Sequence, residues 1–239
     1  RMRRDPVHVV MKDMFFQNQF PYMEVRRPFI LGTEKAQWKP TLSHWFMKFC
    51  EEERLLERVF TQNIDGLDFH TGISPAHVTA VHGSIAQVRC EGCEAAMPFQ
   101  AFCDQVRSNI KDIYNIDPTA PKESTPISCP KCSKPLVKPS TVLFGSSLPE
   151  EFFDKLGELE TTNLLIVAGT SLVVSPANCV VQYVPSDCLR LIVNREPVGQ
   201  DLGLRYGPDA GRDVWPGEKS CDEVFLDLIK LLGWQSKVV

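Results

Sequence analysis

Two short cysteine pairs constrain this chain more than anything else in it. Cys90-Glu91-Gly92-Cys93 and Cys129-Pro130-Lys131-Cys132 are both Cys-x-x-Cys knuckles. At that spacing two thiolates can turn onto one metal ion, and Gly92 eases the first turn. Two such knuckles complete a tetrahedral set, which predicts one structural zinc per chain held by Cys90, Cys93, Cys129 and Cys132. Four thiolates leave no open position for water, so the metal is expected not to catalyse but to hold together a small module that lacks its own core. The competing reading is two buried or redox-active cysteine pairs. Cys50, Cys103, Cys179, Cys188 and Cys221 are scattered, mostly among apolar neighbours. Nine cysteines with one metal site fit a reducing compartment better than a disulfide scaffold.

The knuckles interrupt a different pattern. Short apolar runs end in polar or glycine-containing turns: 58–62 before Asn63-Ile64-Asp65-Gly66, 78–81 before His82-Gly83-Ser84, 163–168 before Gly169-Thr170-Ser171, and 189–193 before Asn194-Arg195-Glu196. Helical stretches are expected at 41–54, with Leu42, Trp45, Phe46 and Phe49 at helical spacing, and at 149–159, 176–184 and 223–232, the last closed by Gly233. Alternating β and α elements imply an α/β fold, a Rossmann-like parallel sheet with helices on both faces. Ligands then bind beyond the carboxyl ends of the strands, where these polar clusters lie. The expected division is a body of residues 1–85 and 137–239, with 86–136 inserted as a zinc-binding module. Residues 117–128, rich in Pro, Ser and Thr, read as a flexible loop within it.

A chain of 239 residues, 43% hydrophobic, can bury one substantial core, or a large core with a satellite. Its 26 basic and 30 acidic residues give no electrostatic case for nucleic acid, and the basic start (Arg1, Arg3, Arg4) is too short to make one. No apolar run reaches the roughly 18–20 residues of a membrane helix, so no membrane partner is expected. Without a visible targeting pattern, the cytoplasm is the first expected location and the nucleus the second.

Two stretches carry the chemistry. Thr61-Gln62-Asn63-Ile64-Asp65-Gly66 delivers two amides and a carboxylate to one strand end, groups able to bond a carboxamide and ribose hydroxyls. Any one of them alone would be strand-end capping. His82 follows an apolar segment and precedes a small, flexible pair; an ordinary histidine pKa of about 6.5 suits proton transfer near neutrality.

Together these stretches resemble the sirtuin family, and in particular its eukaryotic cytosolic deacetylase branch. Gln-Asn-Ile-Asp-Gly, His-Gly-Ser and the four cysteines stand in the family's order. After them come Lys138-Pro139-Ser140-Thr141-Val142-Leu143-Phe144-Gly145, then Gly169-Thr170-Ser171-Leu172 and Asn194-Arg195-Glu196. The likeness runs from near Asp5 to Trp234. It implies an NAD-dependent enzyme that removes acetyl or other acyl groups from protein lysines, giving nicotinamide, free lysine and O-acyl-ADP-ribose. His82 and Asn63 would be catalytic. Gln62, Asn63, Ile64 and Asp65 would line the nicotinamide and inner-ribose pocket; Gly169, Thr170 and Ser171 would approach the cofactor; Asn194, Arg195 and Glu196 would hold the adenosine end, with Cys221 near adenine or else a neighbour of a helix cap. Val142, Phe144 and Gly145 would border the acyl-lysine tunnel, and extended backbone there and at Val174 would pair with a substrate peptide by strand addition. His82 would deprotonate a ribose hydroxyl, directly or by relay, once the acyl oxygen has displaced nicotinamide.

The chain departs from the family in three places. Gly-Ala-Gly-x-Ser and Gly-Ile-Pro-Asp-Phe-Arg, which cradle the pyrophosphate and close over nicotinamide, do not occur, and no glycine precedes Gly32. Either that loop belongs outside the 239 residues, near their start, or the chain is truncated and binds the cofactor poorly. Ser146 stands where many relatives have Glu, and the 117–128 loop has no assigned role. Two alternatives stay open: ADP-ribosyl transfer to protein, and a catalytically dead Rossmann-like body carrying a zinc-containing interaction module. A hydride-transfer enzyme lacks its Gly-x-Gly-x-x-Gly fingerprint here.

Overall fold

A computed structural model describes residues 6–238; Arg1, Arg3, Arg4 and Asp5 lie outside them. In chain order the elements are α1 (Lys12–Gln17), α2 (Phe20–Glu34), α3 (Leu42–Glu52), β1 (Val59–Thr61), β2 (Val78–Ala80), β3 (Gly83–Cys90), β4 (Ala96–Met97), α4 (Phe99–Asn109), β5 (Val137–Thr141), α5 (Glu150–Lys155), β6 (Leu164–Ala168), α6 (Val180–Tyr183), β7 (Leu189–Val193), β8 (Asp213–Val214) and α7 (Cys221–Leu231), with short 3-10 turns between them. They fall into two units. The first holds residues 6–39, Asn63–Gly66 and His82–Leu148; the second holds Pro40–Gln62, Leu67–Val81 and residues 149–238.

The second unit is the parallel α/β part, and its layers follow from the two-residue period of a strand. On β6 and β7, Ile166, Leu191 and Val193 face Phe46 and Phe49 of α3 and Val224, Phe225 and Ile229 of α7. The alternate residues Leu165, Val167 and Ile192 face Val181, Leu172 and Leu204. Both faces are therefore covered, as in a Rossmann-like sheet. The register runs Leu164↔Leu189 to Ala168↔Val193, with β8 parallel on the far side of β7. β1 and β2 pair in parallel separately, Val59↔Val78 to Thr61↔Ala80. Among the described residues the expected single sheet is thus two parallel ladders.

Caps decide where the helices begin. Ser220 Oγ accepts the Glu223 amide at 3.3 Å and the Glu223 carboxylate accepts the Ser220 amide at 2.8 Å, so α7 starts at Cys221, two residues earlier than its apolar pattern suggests. At the other end Gly233 takes φ 72°, and the Trp234 amide bonds back to the Ile229 carbonyl at 2.9 Å. The expected 149–159 helix tightens into a 3-10 turn from Leu156, next to the weak helix former Gly157. The 176–184 helix is a 3-10 turn, Ala177–Cys179, followed by the short α6.

The first unit wraps α2 and α4 around the antiparallel order β4-β3-β5. Phe15, Tyr22, Met23, Ile30, Ile85, Phe102, Val106 and Ile110 fill its core, together with Cys90 and Cys129. The cysteine segment was expected to lack a core of its own, and its apolar residues share one with the helices before it. Nor does the 117–128 segment hang free. Asp117 pairs with the buried Arg27 at 2.6 Å, Ser124 Oγ donates to Glu24 at 2.7 Å, the Thr125 amide bonds Asn109 O at 2.8 Å, and Ile127 is fully buried.

Candidate active site and zinc site

The two knuckles fold alike. In each, the residue after the second cysteine, Glu94 or Ser133, takes φ 58°, and its amide bonds the carbonyl of the first cysteine at 2.8 Å. The Gly92 amide points at Cys90 Sγ (3.3 Å) and the Lys131 amide at Cys129 Sγ (3.4 Å), which favours thiolate at both. All four sulfurs lie within 4.8 Å of one another, with Cys90–Cys132 and Cys93–Cys129 both at 3.6 Å. A disulfide needs about 2.05 Å. A tetrahedral zinc with sulfur at about 2.3 Å sets sulfur–sulfur distances near 3.8 Å, so the donor set fits a structural zinc. Burial pushes the Cys90 thiol up from its ordinary value, a cost that coordination to a dication reverses.

The first unit also gathers the residues expected to do chemistry. His82 sits in the turn before β3, partly buried. Its carbonyl accepts the Val142 amide at 2.9 Å, and the next residue, Gly83, pairs with Thr141 of β5. Gly83 has φ 76°, and a Cβ there would meet the Ser140 carbonyl oxygen at 1.9 Å, so this close approach demands glycine. The Ile64 carbonyl accepts the Ile85 amide at 2.9 Å, and Ile64 packs on the core. Asn63, Ile64 and Asp65 are thereby brought to the same strand start as His82, with Asn63 exposed and Asp65 half-buried.

Val142, Phe144 and Gly145 follow on the same chain, Phe144 exposed and Gly145 at φ 89°. The expectation of strand addition at Phe144 is narrowed here. Its amide already bonds the Val10 carbonyl (3.0 Å) and its carbonyl the Lys12 amide (2.9 Å), forming a parallel bridge with Met11. In the second unit the Val174 carbonyl is taken by the Asn178 amide at 3.0 Å. An incoming peptide must displace these bonds or use other backbone groups.

The second unit collects the nucleotide-type loops at the carboxyl ends of β6 and β7. The Gly169 amide bonds the Val193 carbonyl at 3.0 Å, and Cys221 Sγ donates to the same carbonyl at 3.4 Å. Gly169 has φ 61°, and a Cβ there would lie 3.5 Å from Cys221 Sγ. Cys221 is thus drawn beside the Gly169 turn as the first residue of α7. Thr170 Oγ1 accepts the Leu172 amide at 3.2 Å, and Ser171 is exposed. Asn194 Nδ2 donates to the Glu196 carbonyl at 3.0 Å, while Arg195 and Glu196 line an open cleft of about 410 Å³ with Pro197, Trp215 and Glu218. Gln62 closes the β1 end of this unit, half-buried.

Two residues had no assigned role in the sequence. The Trp215 indole N–H donates to the Asn194 carbonyl at 2.9 Å, holding the loop after β7. Nothing in the local sequence marks it, because the partner lies 21 positions away. Lys138 stood inside a recognised segment with no role; its ammonium is buried against Glu91, beside the first knuckle.

The chain is similar to known proteins. The model of the Sir2 family matches residues 3–176. The NAD-dependent protein deacetylase hst2 of Schizosaccharomyces pombe is 33% identical over 226 residues, covering 94% of this chain and 60% of that protein. The NAD-dependent protein deacetylase sirtuin-2 of Danio rerio is 30% identical over 247 residues, covering 98% and 60%. The NAD-dependent protein deacetylase hst2-2 of Emericella nidulans is 34% identical over 209 residues, covering 87% and 53%. The chain thus spans 60% or less of the length of these three relatives.

Proposed function

The chain belongs to the Sir2 family, and from that premise we propose that it removes acetyl or other acyl groups from protein lysines in an NAD-dependent reaction. The observation that carries this reading is a single family match spanning Asn63, His82 and all four zinc-type cysteines, in relatives named as NAD-dependent protein deacetylases. NAD, when bound, supplies an electrophilic ribose carbon with nicotinamide as leaving group. Gln62, Asn63, Ile64 and Asp65 would hold the nicotinamide and inner ribose; Gly169, Thr170 and Ser171 the middle of the cofactor; and Asn194, Arg195, Glu196 and Cys221 the adenosine end. The amides, the carboxylate and the glycine turn suit a carboxamide and ribose hydroxyls. The pyrophosphate cradle is not among the 239 residues. An imidazole nitrogen of His82 would accept the ribose hydroxyl proton, and Val142, Phe144, Gly145 and Val174 would orient the acyl-lysine.

In this reading residues 86–136 are the zinc-binding insertion in a body of 1–85 and 137–239, and acylated proteins are the partners. Nine unbonded cysteines support a reducing compartment, the cytoplasm first and the nucleus second. Among the described residues no helix is long and apolar enough to cross a membrane. The test is an acetyl-lysine peptide incubated with NAD and followed by mass. Deacylated peptide, nicotinamide and O-acetyl-ADP-ribose should appear together, and His82→Ala should abolish the deacylated peptide and O-acetyl-ADP-ribose, leaving at most one nicotinamide per enzyme, with zinc content and unfolding midpoint unchanged. Nicotinamide without deacylated peptide would point to ADP-ribosyl transfer; zinc-loaded protein with no turnover at all would point to an interaction module.

A further inference from the structure

Lys138 lies on β5 with its side chain 1% exposed, an expensive place for a charge. Its ammonium has three protons, and the structure gives each an acceptor: the Pro139 carbonyl at 3.0 Å, the Thr141 carbonyl at 2.6 Å and the Glu91 carboxylate at 2.9 Å. Two of these acceptors sit one and three residues further along its own strand, where β3 and β5 shift register between Ser84 and Val88. The third belongs to the first zinc knuckle, between Cys90 and Cys93.

The Thr141 carbonyl and the Val142 amide are two ends of one peptide group, which is planar and rigid. The carbonyl end accepts Lys138 and the amide end donates to the His82 carbonyl at 2.9 Å. Any rotation of that plane therefore moves both bonds together. Thr141 is further pinned by Tyr22, whose hydroxyl meets Thr141 Oγ1 at 2.8 Å. The contacts form an unbroken series from the knuckle to Glu91, Lys138, the 141–142 peptide and the His82 backbone. A buried ion pair by itself contributes little net stability, so holding charge here has its clearest consequence in geometry.

We propose that Lys138 is a positioning residue for His82, and that Glu91 and Lys138 together transmit the state of the zinc knuckle to it. The role of His82 as base rests on the function proposed above; the mechanical connection does not. The test compares Glu91→Gln with Lys138→Met in the full chain, reading zinc content, amide exchange at Val142 and the ring resonances of the five histidines. Glu91 is 15% exposed at the surface of the pair, so its variant should fold and keep one zinc even if Lys138→Met does not. The expected result is exchange at Val142 faster by about fivefold, the scale of one lost backbone bond, together with a shifted His82 ring signal while His44, His70 and His77 in the second unit stay put. With turnover present, kcat should fall while KM for NAD holds. Unchanged Val142 and His82 signals in the zinc-loaded Glu91→Gln protein would overturn the proposal, as would a loss of protection spread evenly over the first unit. Because exchange and ring signals need neither NAD nor turnover, a localised effect in an inactive chain would sink the deacylase reading alone.

Discussion

Replacing Gly83 by alanine separates two costs that the structure places at one position. The first is conformational: at φ 76° an alanine carries a penalty of about 1–2 kcal/mol. The second is contact. The new Cβ would stand 1.9 Å from the Ser140 oxygen, 2.9 Å from its carbonyl carbon and 3.2 Å from Thr141 Cα. All three are backbone atoms of β5, so no side chain can swing aside. Cβ atoms essentially never approach closer than 3.0 Å, so β5 must withdraw by about an ångström or more. Withdrawal weakens the pairing of Gly83 with Thr141 and the bond from Val142 to the His82 carbonyl, at about 1 kcal/mol each. The total is about 3–4 kcal/mol. Gly145→Ala is the matched control in the same unit. Its φ of 89° imposes the conformational cost, but its nearest neighbour, Lys12 Cβ, is 3.9 Å away. Urea unfolding of both variants at equal slope should show Gly83→Ala lower by about 2 kcal/mol or more. Indistinguishable midpoints would refute the close approach of β3 to β5 at this residue, and with it the placement of His82.

Further outcomes follow from the same contacts. Chelation of zinc should open Cys90, Cys93, Cys129 and Cys132 to alkylation and loosen the first unit's core, while Cys50 and Cys103, pushed up to about 11 and about 12 by burial, stay unlabelled in mass mapping. Asp213→Ala should cost about 3–5 kcal/mol in denaturant unfolding, because it strands Arg190, 5% exposed, whose guanidinium binds both Asp213 oxygens. Replacing the pair together, as Arg190→Met with Asp213→Leu, should cost less than the single change. Burial would raise the Glu51 carboxyl, but bonds from Lys48, His77 and the Ser74 amide outweigh it and hold the group at about 2 instead of 4.5. Its stabilising effect is therefore complete above about 4.5 and is lost as pH falls through about 2. Near the surface, screening limits it to about 1–2 kcal/mol, and urea midpoints of wild type and Glu51→Gln should converge as acid is added.

The knuckles were legible because their geometry is nearly covalent: two residues between cysteines suffice to aim both sulfurs. The strand ends at 61, 168 and 193 and helices α3 and α7 were legible from apolar period and caps. Less legible was everything whose reason lies far along the chain. The β3–β5 ladder pairs residues about fifty positions apart, and its bulge breaks the two-residue alternation that would have marked β3 as a strand. α2 carries Pro28 inside it and no capping side chain, so its sequence announces neither end. Lys138 reads as a surface residue by type; only the simultaneous presence of Glu91 and two carbonyls makes its burial tolerable. Val10 to Lys12 carries no signal that it pairs with Phe144, which is why the peptide-binding edge looked freer in the sequence than it is.

How a metal in this chain can influence His82 is decided by distance. β3 runs the eight residues from Gly83, beside His82, to the ligand Cys90. The bulge takes up part of that length: Gly83 pairs with Thr141 and Cys90 with Val137, so only the four steps of β5, at about 3.3 Å each, separate them, which puts base and metal site roughly 15 Å apart. A zinc with four thiolates carries a net charge of about −2, which at ~15 Å amounts to about 0.6 kcal/mol in water and about 2.2 kcal/mol at the effective dielectric of a protein surface. About two Debye lengths of salt reduce the larger figure to about 0.3 kcal/mol. A single backbone hydrogen bond is worth about 1 kcal/mol, and the His82 carbonyl rests on one donated by the strand segment that Lys138 grips. Mechanical transmission therefore exceeds electrostatic transmission by about threefold. A metal with the same charge but different metal–sulfur lengths should accordingly alter Val142 exchange, whereas adding salt to the zinc protein should not.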